Sequence, residues 1–173
     1  MMKQVIPSLL ESTKPVITAS ASARSLSTRS LVLDVGCGWY PQGDINVDIE
    51  KRKDGIPNFV KADGQHLPFR DNVFALVNSQ HAIEHTPNPF LFLKELFRVS
   101  QCQVILRCPW RFERNLHRHP DHLHSFNKKS VESMMKLLPD CVYSSSYTGL
   151  LFDFLPLPVE MEFRIRKVNV ELV

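Results

Sequence analysis

The sequence predicts an α/β fold built on a mostly parallel sheet. Two observations support this: short apolar runs typical of buried strands alternate with segments of helical periodicity, and the first run, residues 31–35, ends at a Gly-x-Gly turn. A continuous apolar run bounded by glycine is typical of a parallel strand covered on both faces. We therefore expect the carboxyl ends of several strands to share one edge, where ligands bind in such sheets.

The other elements follow in order along the chain. Further strands are predicted over residues 45–48, 58–61, 73–79, 102–108, 141–147 and 160–172. Asn88 is a favourable N-cap and Pro89 a favourable first helical residue, so a helix should begin there. Asn127 predicts the start of a second helix. The short spacing between the first two strands leaves room for a turn in place of a helix.

The composition is that of one globular domain. The chain has 173 residues, of which 43% are hydrophobic and 23% charged. We expect residues 1–29 to form a flexible N-terminal arm and residues 30–173 to form the domain, because small and hydroxyl side chains dominate residues 19–30. The sequence has no apolar run of transmembrane length, no export signal and no CxxC pair, which predicts a cytoplasmic protein that does not enter membranes.

The charge is unevenly distributed although the net charge is only +3. Residues 98–136 hold eight basic and three acidic residues, a local charge of +5, and the rest of the chain sums to −2. This excludes a strongly basic nucleic-acid coat. RNA stays an alternative partner that is not preferred. The local charge predicts one basic, histidine-rich face.

The Gly-x-Gly turn predicts a ligand close to the backbone. Gly36 and Gly38 lack the side chains that would keep a ligand away. The dinucleotide fingerprint needs a third glycine where this chain has Pro41, so a nicotinamide or flavin dinucleotide is disfavoured. Asp48 ends the second predicted strand, where a carboxylate can bind a ribose diol. Asp63 follows the third strand, where an acceptor could meet an adenine amino group.

Six ordered sequence blocks then identify a family. They read LVLDVGCG, INVDIE, KADGQHLPF, FALVNSQHAIEH, FLKELFRVS and VILRCPW, and they cover about residues 31–110. With the later DHLHSFNKKSVESMM, the sequence resembles the class I S-adenosylmethionine-dependent methyltransferases, in particular methyltransferase type 11. The resemblance implies a Rossmann-like, doubly wound seven-strand sheet that is mostly parallel, with the last strand antiparallel. It also implies S-adenosyl-L-methionine as the cofactor.

The resemblance assigns cofactor-binding residues to each strand end. The turn under the methionine half would be formed by Asp34, Gly36, Cys37 and Gly38. The resemblance further implies that Asp48 holds the ribose, that Ile49 packs on the adenine, and that Asp63 and Gly64 meet its edge. Ser79 and Gln80 would line the sulfonium and amino-acid end.

Two histidines after the fourth strand are candidates for catalysis. His81 and His85 would lie at the rim of the pocket, and a histidine has a suitable pKa for taking a proton from an acceptor. The alternative is that they start a helix or serve packing.

A second group of basic side chains follows the fifth strand. It comprises Arg111, Arg114, His117, Arg118, His119, His122 and His124. Three interpretations stay open: a solvated loop, a rim that binds an anionic substrate, and a metal site. Because His122 and His124 match the family segment, we expect them, with Arg111, to contact substrate, and we expect no metal.

The predicted function is methyl transfer from S-adenosylmethionine to an unidentified small acceptor, with an anionic one favoured by the basic face. Ala75 replaces the acid that usually opens the fourth strand in the family, so a non-catalytic methyltransferase-like binding module is an alternative. A second alternative is an RNA-directed methyltransferase that uses residues 98–136. The expected assembly is a monomer or a homodimer.

Overall fold

The computed structural model describes residues 30–50, 54–110, 121–148 and 160–168. The strands are β1 (Val32–Val35), β2 (Ile45–Asp48), β3 (Phe59–Lys61), β4 (Phe74–Gln80), β5 (Ser100–Pro109), β6 (Cys141–Thr148) and β7 (Glu160–Lys167). The helices are α1 (Pro89–Val99) and α2 (Lys128–Met135), and a single 3₁₀ turn spans Ile83–His85. The predicted arm over residues 1–29 lies outside the described residues.

The seven strands form one sheet in the order β3-β2-β1-β4-β5-β7-β6. Strands β1 to β5 pair in parallel, whereas β7 runs antiparallel to both β5 and β6. The predicted Rossmann-like sheet with an antiparallel last strand is confirmed. The chain leaves β1 toward β3 and returns on the other side of β1 at β4, so a topological switch point lies between β1 and β4.

The connection from β1 to β2, residues 36–44, is a loop without a helix, as its short spacing predicts. Gly43 makes it feasible, because a Cβ at this position would overlap the carbonyl oxygen of Ile45 and the backbone of Asp34. The carboxylate of Asp44 accepts a hydrogen bond from the backbone N–H of Val32 at 3.0 Å. The loop is therefore held against the start of the strand that precedes it.

Both helices begin where the sequence predicts. The Asn88 side chain accepts from the Leu91 N–H at 3.0 Å with Pro89 in the first turn. Asn127 and Ser130 form a reciprocal capping box at the start of α2.

Helix α1 packs on β4 and β5 and buries its apolar face there. Its side chains Phe92, Leu93 and Leu96 are at most 2% exposed, and they join Leu33, Val77 and Leu106 of the sheet in one core. This packing holds the carboxyl ends of the central strands in place. Among the described residues, no helix has the length and apolar character needed to cross a membrane.

Candidate functional site

The carboxyl ends of β1 to β4 open into one cavity of about 580 Å³. This volume lies in the range of pockets that hold small ligands, about 300–1,000 Å³. Eight of the residues proposed from the sequence line it, namely Gly36, Gly38, Asp48, Ile49, Asp63, Gly64, His81 and His85. The predicted meeting of strand ends thus produces a single concave site at the switch point.

The Gly-x-Gly turn forms one wall of this cavity. Gly36 has a φ of +74°, and a Cβ there would overlap the Cβ of Ala82. Its N–H donates to the Val47 carbonyl at 2.8 Å, which ties the turn to β2. Gly38 has a φ of +50°, but a Cβ there would meet nothing within 4 Å. A ligand can therefore approach the backbone at Gly38.

Asp34 supports the turn from beneath and does not line the cavity. It is 3% exposed, and its carboxylate accepts from the Gln42 N–H at 2.9 Å and from the Asn78 amide at 3.2 Å. Burial raises the pKa of this carboxyl above its ordinary value. Cys37 is also buried and does not line the cavity. Both residues position the turn.

Asp48 lies at the end of β2 and contributes its carboxylate to the cavity. Oδ2 accepts from the Gly38 N–H at 2.9 Å and Oδ1 accepts from the Glu50 N–H at 3.1 Å. Each carboxylate oxygen can accept more than one hydrogen bond, so both can also serve a ligand. Beside it, Ile49 lines the same cavity and is 61% exposed.

Asp63 and Gly64 form the wall that follows β3. The Asp63 carboxylate accepts from the Gln65 N–H at 2.8 Å, and the Gln65 side chain in turn accepts from the Asn88 N–H at 2.9 Å. A Cβ at Gly64 would overlap the ring of Phe92. The missing side chain therefore lets α1 place an aromatic ring against the cavity.

The residues at the end of β4 divide between the core and the cavity. Ser79 is fully buried, and Gln80 donates from its side-chain amide to the Gln42 side chain at 3.2 Å. Neither lines the cavity, unlike the wall expected from the sequence. His81 does line it, with a φ of +50° that turns the chain out of the strand.

His81 lies between two carboxylates. Its Nδ1 is 3.4 Å from Oε1 of Glu84, and its Nε2 is 2.7 Å from Oε1 of Glu160. The Glu84 carboxylate, and after it that of Glu160, raise the pKa of His81 to about 9, against burial, which lowers it. The imidazole is therefore largely protonated at neutral pH and is poorly suited to take a proton.

His85 contacts a different segment, since its Nδ1 lies 3.3 Å from Oδ2 of Asp121. Its Nδ1 lies 3.0 Å from the backbone carbonyl of Asp121, which can only accept, so Nδ1 carries the proton. A neutral His85 then keeps a lone pair on Nε2. The ring centroid of His122 is 4.7 Å away, whereas the His124 ring lies near Phe126, at 6.1 Å.

The tract predicted to contact substrate is only partly described. Arg111, Arg114, His117, Arg118 and His119 lie outside the described residues, and neither His122 nor His124 lines the cavity. The sequence interpretation missed Trp39, Phe92 and Asp121, which do line it. Two of them carried a sequence signal: Trp39 is an aromatic residue directly after the Gly-x-Gly turn, and Asp121 opens the segment DHLHSFNKKSVESMM. In the structure Trp39 is 57% exposed. Phe92 has the pattern of an ordinary core position.

Comparison with known proteins supports the same family. Residues 39–106 match the family model described as a methyltransferase domain. No curated protein matches the sequence.

Solved structures share the fold at low sequence identity. A SAM-dependent methyltransferase from Archaeoglobus fulgidus matches with a TM-score of 0.66 at 17% identity, covering 79% of this chain and 85% of that one. The YcgJ protein from Bacillus subtilis matches with a TM-score of 0.60 at 15% identity, covering 83% and 94%. The plantazolicin methyltransferase BpumL, solved with a triazolic desmethylPZN analog and SAH, matches with a TM-score of 0.58 at 16% identity, covering 80% of this chain and 76% of that one. Family match and fold together confirm the resemblance drawn from the sequence, to the class I S-adenosylmethionine-dependent methyltransferases.

Proposed function

We propose that this chain binds S-adenosyl-L-methionine in the cavity at the switch point and transfers its methyl group to a small acceptor. The observation that carries the proposal is the meeting of Gly38, Asp48 and Asp63, from three different strand ends, in one cavity. The structural neighbour BpumL, solved with S-adenosylhomocysteine, supports the choice of cofactor.

The described residues fit this cofactor. The open space at Gly38 would admit the methionine half, because no protein atom lies where a Cβ would point. Asp48 would accept hydrogen bonds from the two ribose hydroxyls, with its position already fixed by the Gly38 N–H. The exposed side chains of Ile49 and Trp39 would cover the apolar faces of the ligand, and Asp63 would accept from the adenine amino group.

The cofactor, when bound, supplies a methyl group that its sulfonium has already activated. The protein then has to orient the acceptor and exclude water. An acceptor that loses a proton also needs a proton acceptor. Of the two histidines proposed for catalysis, His81 is largely protonated, so His85 with its Nε2 lone pair is the better candidate.

We propose a small molecule as the acceptor, since the neighbour BpumL was solved with a triazolic desmethylPZN analog together with SAH. The basic residues after β5 favour an anionic acceptor, since arginine forks suit carboxylate and phosphate groups. RNA is the alternative that this charge also permits. A gel shift with RNA at about 50 mM salt separates the two, since phosphate contacts are strongest at low salt.

Titration calorimetry with S-adenosylmethionine and S-adenosylhomocysteine tests the cofactor. We expect one site per chain for both ligands. Folded protein that binds neither would overturn the proposal. Binding without turnover of any acceptor in a small-molecule panel would favour the non-catalytic binding module.

A further inference from the structure

The side chain of Glu84 is buried, and its carboxylate lacks hydrogen-bond partners among the described residues. The residue is 0% exposed, and the lack of partners extends to both carboxylate oxygens. An isolated buried carboxylate is costly, and proteins keep one ionised only when a cation or several donors compensate it. Its placement in the first 3₁₀ turn after β4 therefore needs an explanation.

His81 compensates this carboxylate only in part. The Nδ1 of His81 is 3.4 Å from Oε1 of Glu84, which is an ion-pair distance that forms no hydrogen bond. The short contact of His81, at 2.7 Å, goes to Glu160 on β7. The second oxygen of Glu84 has no hydrogen-bond partner among the described residues.

Two further histidines lie beside Glu84. One potential ligand atom from each of Glu84, His85 and His122 lies within 4.8 Å of the others. The arrangement is held in place by the backbone, because the Glu84 carbonyl accepts from the N–H groups of Leu123 and His124 at 2.9 and 3.1 Å. The residue that supplies the carboxylate thus also anchors the segment that supplies His122.

We propose that Glu84, His85 and His122 bind a divalent transition metal, with Zn²⁺ as the best match. Two imidazoles and one carboxylate suit Zn²⁺ and its transition-metal neighbours, whereas Mg²⁺ and Ca²⁺ prefer oxygen ligands. The hydrogen bond from His85 Nδ1 to the Asp121 carbonyl is the outer contact that typically orients a metal-binding imidazole. Three protein ligands leave a coordination position open.

Of the three proposed ligands, His85 lines the cavity, together with the neighbouring Asp121. The open coordination position would therefore face the cavity on the side of His85. There the metal would hold an oxygen of the acceptor and lower the pKa of that group. This role rests on the proposed methyl transfer, whereas metal binding itself does not. A bound metal would also exclude His85 from acting as a proton acceptor, because the single lone pair on Nε2 can bind either a proton or a metal ion.

Calorimetry with Zn²⁺ on metal-free, untagged full-length protein tests the site. We expect one Zn²⁺ per chain, and we expect Glu84→Gln and His122→Ala to weaken its binding by more than about tenfold, since even loss of an outer contact costs this much. His124→Ala is the matched control for metal affinity, because it removes a histidine of the same segment outside the cluster. Co²⁺ should give a visible absorption spectrum that His122→Ala abolishes and His124→Ala keeps.

Two results would overturn the metal site. One is wild-type protein that binds neither Zn²⁺ nor Co²⁺ above background. The other is equal Zn²⁺ affinity in His122→Ala and His124→Ala, both confirmed as folded by circular dichroism. S-adenosylhomocysteine binding, measured on the same variants, separates this outcome from a failure of the proposed function.

Discussion

Asp48 lines the cavity, and its carboxylate is also hydrogen-bonded to the protein backbone. One oxygen accepts from the Gly38 N–H and the other from the Glu50 N–H, and the cavity that Asp48 lines is the one proposed for the cofactor. The side chain is therefore positioned before a ligand arrives, which lowers the entropy that binding would cost. Loss of this carboxylate should affect the ligand more than the fold, because β2 keeps its pairing with β1 and β3.

Replacement of Asp48 by alanine should weaken S-adenosylhomocysteine binding by about 1.5–3 kcal/mol, the range for hydrogen bonds to a charged group. Titration calorimetry measures this. Glu50→Ala, in the same segment but outside the cavity lining, is the matched control and should bind normally. Unchanged affinity in a folded Asp48→Ala protein would show that this strand end is not the ribose site.

Gly36 combines a left-handed backbone with close packing. Gly36→Ala should therefore be destabilising twice, once through the φ of +74° and once through overlap with the Cβ of Ala82. Gly55→Ala is the matched control, because it has a φ of +78° and nothing within 4 Å of a Cβ.

Urea denaturation of both glycine variants measures the difference. We expect a loss of about 1 kcal/mol for Gly55→Ala and at least about 1 kcal/mol more for Gly36→Ala. Equal losses would mean that the contact with Ala82 relaxes without cost.

At the residue scale, sequence reasoning located the strand-end acids but not the neighbours of β4. Asp48 and Asp63 could be predicted because each directly follows a recognisable strand, and strand ends share an edge. Ser79 is fully buried because β4 continues past it and pairs with β5 as far as Gln80. The Gln80 side chain donates to the Gln42 side chain, which lies outside the cavity lining. The complete burial of Glu84 was not predicted, because the residues that bond to its backbone, Leu123 and His124, lie about forty positions further along the chain.

At the scale of elements, Arg98 attaches α1 to the segment that leads into β4. Its guanidinium donates to the carbonyls of Leu67 and Phe69 and to the carboxylates of Asp71 and Glu95, at 2.6–3.0 Å. The segment that it holds follows directly on the Asp63 wall of the cavity. One side chain on the helix thus fixes the connection between the cavity wall and the central strand.

Arg98→Lys should destabilise the protein by about 2 kcal/mol, because lysine cannot reproduce the fork of donors. Thermal and urea denaturation measure the loss. Lys94→Ala, at an exposed position of the same helix, is the matched control and should change stability by less than about 0.5 kcal/mol. A lysine variant as stable as the wild type would show that the hydrogen bonds of Arg98 contribute little.

The positions of helices that begin at a capping residue could be predicted from the sequence, whereas the lengths of the strands could not. Asn88-Pro89 and Asn127 fix the starts of both helices through backbone N–H groups that need acceptors. Strand β5 is longer than its apolar run because Ser100 pairs with Phe74 and Pro109 with Glu160. Those ends are set by neighbouring strands, and no residue in the run itself signals them.

At the scale of the whole molecule, the sheet order explains why distant residues meet. The crossing from β3 back to β4 places the glycine turn, Asp48 and Asp63 on one side of the switch point and His81 on the other. The order of seven strands could be predicted only through the family resemblance, since local patterns do not specify which strands are neighbours. The central claim is that these strand ends form a binding site for S-adenosylmethionine.

A crystal structure of the protein with S-adenosylhomocysteine tests this claim most directly. We expect the ribose hydroxyls within hydrogen-bond distance of the Asp48 carboxylate, the adenine beside Ile49 and Asp63, and the methionine half along Gly38. Clear density for the ligand elsewhere on the molecule, or a cavity still empty at saturating ligand, would contradict it.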